Sequence, residues 1–159
     1  MDGSKDGSED TLSNRQRAAL EAIAESLRRD RWYSYLTLDQ ENRWIVACDA
    51  EEGHIDVKIG ADGFDIDAWA TSPGLFWDEE DERHRAAKER LARISLPAIA
   101  RGILYPNQEI WWDEADHGVG ARVRHQLPFS TQERLSQFAL TYLAELNDLI
   151  AVVETKLVD

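Results

Sequence analysis

The chain has 159 residues, and its 31 acidic against 18 basic side chains leave a net charge of −13, a field that disfavours direct nucleic-acid binding, which needs cations clustered against phosphates. A hydrophobic content of 43% argues against wholesale disorder. No apolar run approaches the ~20 residues that cross a bilayer, and Cys48 as the one cysteine allows neither an intrachain disulfide nor a thiolate cluster for a metal.

Residues 1–11 mix Gly, Ser, Asp and Lys without periodicity and read as a disordered tail, lacking the parts of a signal peptide; residues 12–159 read as a single domain. A cytoplasmic setting is expected. Ser13 with Gln16 has the spacing of a capping box, and Leu20, Ile23, Ala24 and Leu27 recur at one-face helical spacing. The basic stretch 28–31 closes that helix at the negative end of its dipole.

From Trp32 to Ala70 the period changes to two. Tyr33 to Leu38 reads either as a strand or as an extended lead-in, and Trp44 to Cys48 as a central strand. Ile55, Val57 and Ile59 alternate with Asp56 and Lys58, and after Gly60-Ala61-Asp62-Gly63 the alternation resumes with Phe64 and Ile66. That pattern is a hairpin with one apolar and one charged face. Thr71-Ser72-Pro73-Gly74 breaks the sheet, and Leu75-Phe76-Trp77 leads into five successive acids, 78–82. Acids before a helix whose later residues are basic suit the dipole, and Pro97 is expected to end or kink that helix.

Residues 109–113 and 119–127 read as two strands joined around Asp116-His117-Gly118, with Pro128 as the stop. The last helix opens on a capping box of Ser130 and Glu133. Leu135, Phe138, Ala139, Tyr142, Leu146, Leu149 and Val153 make one stripe, and Leu143, Ile150 and Leu157 a second line at seven-residue spacing. The surplus fits two arrangements: a helix sunk between layers of one domain, or a helix whose second line meets another chain.

The motifs of catalysis are absent from the sequence. His54, His84, His117 and His125 never fall at the spacing of a helical zinc pair, and no phosphate-cradling glycine loop occurs. His54 and His117 sit beside glycines and read as exposed turn residues. Cys48 lies in an apolar strand pattern and reads as an inert core thiol. The acids at Asp62, Asp65 and Asp67, and at Asp113, Glu114 and Asp116, miss the ligand spacing of a calcium loop and read as solvated faces.

Tryptophan is the unusual resource. Trp111 and Trp112 are consecutive in a strand, so they point to opposite faces. Trp69 shares a face with Asp65 and Asp67, and Trp77 follows Phe76 in the acidic linker. Aromatic groups among acids match the composition of interface hot spots, or else cover a sheet edge; the first reading makes Trp69, Phe76, Trp77, Trp111 and Trp112 the partner-binding set.

The order helix, antiparallel strands, helix, two strands, long helix, with Asn107-Gln108-Glu109-Ile110, an Asp-rich turn before Gly118 and an acid- and leucine-rich closing helix, resembles the YbjN-like family and the related type III secretion chaperone fold over residues 14–157. The Trp111-Trp112 pair and Pro97 depart from it. The resemblance implies an α+β fold around one antiparallel sheet. It also implies a homodimer that holds other proteins without a cofactor or catalytic residues, presents apolar patches to an extended client, and acts in a stress-response or adaptor role. The expectation is a non-enzymatic protein-binding chaperone or adaptor whose partner is a basic or nucleic-acid-binding protein, with no membrane association and with Leu143, Ile150 and Leu157 as the interface line. A small-molecule or metal-binding regulatory protein, and after it a hydrolase with paired carboxylates, are the competing readings.

Overall fold

Period-3.6 and period-2 stretches alternate along this sequence, and a computed structural model turns them into an α+β fold. It describes the backbone from Gly3 to Asp159 and side chains from Asn14 onward. In chain order the described elements are α1 (Gly3–Arg29), β1 (Tyr33–Leu38), β2 (Trp44–Ala50), β3 (Gly53–Ile59), β4 (Phe64–Ser72), α2 (Glu82–Ile103), β5 (Gln108–Asp113), β6 (Gly118–Leu127), a 3-10 turn at Phe129–Arg134, and α3 (Leu135–Val158). The strands form one six-stranded antiparallel sheet in the order β1-β2-β3-β4-β6-β5. Tyr33–Leu38 is thus a true strand, at the sheet edge.

Two compact units divide the chain, Met1–Asp67 with His125–Ala139, and Ala68–Arg124 with Leu140–Asp159. Their boundaries fall inside β4, β6 and α3, where the sequence reads one domain over 12–159.

In the first unit α1 packs on β1, β2 and β3. Leu20, Ile23, Ala24 and Leu27 are its buried face, opposite a sheet whose Val46, Cys48, Ile55 and Val57 are equally inaccessible. Burying the three large α1 side chains contributes about 6 kcal/mol, an upper figure because the unfolded chain already hides part of that surface. Packing rather than intrinsic propensity therefore holds this helix. Its end is a Schellman motif, with Trp32 N–H donating to Leu27 C=O at 3.0 Å and Arg31 N–H to Arg28 C=O at 3.0 Å. The left-handed position is filled by Arg31 at φ 72°, where glycine is the usual occupant. The tail expected over residues 1–11 falls partly on Met1 and Asp2, outside the described residues, and otherwise on the first turns of α1. Ser13 lies within that helix, so the start expected there is not the helix start.

The second unit buries Ala68 and Ala70 of β4, Ala92 and Leu96 of α2, Val119, Ala121 and Val123 of β6, and Tyr142, Leu143, Leu146, Ile150 and Val153 of α3. Three sequence expectations are corrected by these elements. α2 runs unbroken through Pro97, which is exposed. Ser130 and Glu133 fall within the 3-10 turn, whose N-cap is Pro128 with no side-chain cap bond, so no capping box opens α3. Leu143 and Ile150 are 3% and 4% exposed and Leu157 is half-buried. Leu143 and Ile150 of the second apolar line are therefore internal, as in the sunken-helix arrangement.

Candidate partner-binding surface

Residues 73–81 connect β4 to α2 and carry the aromatic and acidic groups that the sequence singles out. The segment is tied by its backbone to the β5–β6 turn: Gly74 N–H donates to Asp116 C=O at 2.8 Å and Leu75 N–H to His117 C=O at 3.1 Å. That turn is itself fixed. Asp113 accepts from Asp116 N–H at 2.8 Å, and Thr71 donates to the Asp116 carboxylate at 2.5 Å. His117 adopts φ 53°. Its Nδ1 lies 3.0 Å from the buried Glu89 carboxylate on α2, and Arg93 grips Glu114 through two bonds of 2.5 and 2.8 Å. The Arg93 guanidinium lowers the Glu114 carboxyl below its ordinary value. At Gly118 a Cβ would overlap the Ser72 carbonyl, so only glycine fits where the two chain segments approach.

On this frame Phe76 and Trp77 part company. Phe76 is buried and stacks on Trp112, centroids 6.2 Å apart and planes 23° from parallel, with the Lys88 ammonium 5.9 Å from its ring. Trp77 is 61% exposed. Its ring lies against Gly74, at φ 66°, where a side chain would collide with the indole. Exposed Asp78, Glu80, Asp81 and Glu82 follow. Glu79 is held back by Lys88 at 2.9 Å, which with the Asp81 N–H keeps its carboxyl below the ordinary value. Asp81 caps α2, accepting from Arg83 N–H at 2.8 Å and His84 N–H at 3.2 Å.

Of the five aromatic residues expected to bind a partner, Trp77 is the one that lies open. Trp111 and Trp112 are half-buried, the first packed over Gly120, the second under Phe76. Trp69 is half-buried on the β4 face that also carries Asp65 and Asp67. Phe76 serves as the anchor that fixes Trp77 beside it.

One group was read too simply from sequence. His54 lies in β3 rather than in a turn. Its Nδ1 is 2.5 Å from Asp49 and its Nε2 2.6 Å from Asp56. Burial works to lower its pKa, but the two carboxylates together raise it above histidine's ordinary value. The signal was available: Asp49 is the cross-strand partner of His54, and Asp56 shares its face two residues on. Cys48 is buried with its Sγ 3.2 Å from Ser34 Oγ, and burial pushes its thiol up to about 11, where it is a poor nucleophile. Among the described residues no three His, Cys, Asp or Glu side chains are grouped to hold a metal ion, and no helix is long and apolar enough to cross a membrane.

No family model, curated protein or solved structure matches this chain.

Proposed function

We propose that this protein is a non-catalytic adaptor or chaperone of the cytoplasm that docks a basic segment of another protein on the acidic loop bearing Trp77. The observation that carries the reading is the indole itself, 61% exposed on a loop whose backbone is pinned to the β5–β6 turn. Ordering cost is paid in advance at such a site, and an exposed, immobilised tryptophan ringed by charge has the composition of a binding hot spot. The acids 78, 80, 81 and 82 select the sign of the partner and speed its approach. A basic client, itself a nucleic-acid-binding protein, fits the net charge of −13 where a nucleic acid does not. The element order supports the likeness to YbjN-like and type III secretion chaperone proteins on which the adaptor role also draws.

The test is retention of cellular proteins by the immobilised chain at low and high salt, after nuclease treatment. The proposal expects a specific protein whose retention falls with salt and drops at least tenfold with Trp77→Ala. Unchanged retention by that variant would remove Trp77 from the site.

A further inference from the structure

α2 carries six basic and two acidic residues in a chain of opposite overall sign, and the fold uses only part of that charge. Arg93 is taken by Glu114 and Lys88 by Glu79; Glu89, one of the two acids, is buried beside His117. Ala92 and Leu96 complete the inward face. On the outward side Ala87, Leu91, Ile94 and Ala98 follow one another at steps of four, three and four. All four are exposed, and the two large ones strongly so, Leu91 at 63% and Ile94 at 70%. Arg83, Arg90 and Arg101 stand at intervals of seven and eleven, which at 3.6 residues per turn places them within about 20° of one another, along one flank of that stripe. All three are exposed.

We propose that the outward face of α2 docks an acidic amphipathic helix of a partner protein. The four-three-four spacing is the seam that one helix offers another, and the row of arginines on its flank selects carboxylates on the incoming helix. A second copy of the chain is disfavoured, because α2 against α2 sets arginine rows and apolar seams together without facing acids. A nucleic acid has no use for Leu91 and Ile94, and these two large apolar side chains are too few to make the broad apolar face that seats a helix in a bilayer surface. This site stands independently of the Trp77 loop: the sign of its partner is opposite, and the two together would let one chain bridge a basic and an acidic protein.

Two synthetic helical peptides test it on the full chain, one with leucines at the four-three-four spacing and flanking glutamates, the other identical but with lysines for glutamates. Amide NMR should show the acidic peptide perturbing residues 87–98 and the lysine peptide leaving them unmoved. Leu91→Ser or Ile94→Ser, both at exposed positions, should each weaken the acidic peptide about tenfold. The triple change Arg83→Glu, Arg90→Glu and Arg101→Glu should reverse the preference, and Trp77→Ala should leave it untouched. Equal binding of both peptides, binding of neither, shifts confined to other elements, or capture of anionic vesicles through Leu91 and Ile94 would each overturn the proposal.

Discussion

Arg31 and His54 show how single residues carry costs and gains that a composition cannot display. Arg31 holds the left-handed position that closes α1, a conformation costing an L-residue roughly 1 kcal/mol. Arg31→Gly should therefore raise stability by about 0.5–1 kcal/mol, measured by urea unfolding. A loss of stability would mean that the arginine side chain contributes more than its backbone strain costs. His54 is a matter of charge. Its pKa is raised in the folded chain by Asp56 and Asp49, against the effect of burial, so the folded state binds a proton that the unfolded state releases first. The resulting stability is fully present below histidine's ordinary value of 6.5. It disappears as pH climbs through the higher folded value. Following the imidazole resonances of His54 by NMR, Asp56→Asn should bring its titration midpoint down; an unmoved midpoint would contradict the role given to Asp56.

At the scale of elements the acids before α2 earn a specific structural part. Asp81 takes two first-turn N–H groups, so Asp81→Ala should cost about 1 kcal/mol, read as a lower midpoint in thermal or urea unfolding, whereas Glu80→Ala, outside the cap, should change it by less than about 0.5 kcal/mol. The elements that sequence rendered faithfully are those whose period is repeated and whose ends are marked. The alternation of Ile55, Val57, Ile59, Phe64 and Ile66 fixed the β3–β4 hairpin, and Leu20, Ile23, Ala24 and Leu27 fixed the buried face of α1. Local rules failed where tertiary context overrode them. Pro97 reads as a break, yet its ring sits on the solvent side of a helix held from the other side by Ala92 and Leu96. Ser130 and Glu133 have capping spacing, but the chain leaves Pro128 as a 3-10 turn. The two lines of α3 were equally consistent with burial or association, since periodicity reports an apolar face and not what covers it; Leu143 and Ile150 turn out to be internal.

For the whole molecule the lesson concerns the surface. The −13 charge was legible at once, and so was the acidic linker with its two aromatics, but sequence could not divide the five candidates, Trp69, Phe76, Trp77, Trp111 and Trp112, into anchors and exposed groups. That division follows from the backbone bonds of Gly74 and Leu75 to the β5–β6 turn and from the stacking of Phe76 on Trp112, contacts between segments far apart in sequence. The apolar and basic outward side of α2 was hidden for a similar reason, because its arginines read as ordinary dipole partners until Leu91 and Ile94 proved to be exposed.

Trp77 is the contact residue on which the proposed acidic docking loop depends. The most direct measurement is a comparison of wild type and Trp77→Ala for salt-dependent capture of nuclease-resistant protein partners, with urea unfolding of both run alongside. If Trp77 is the contact residue, the two chains should have equal stabilities, within about 0.5 kcal/mol for so exposed a site, and the variant should lose the captured protein. Capture that is the same for both chains, or that vanishes only because the variant unfolds, would contradict it.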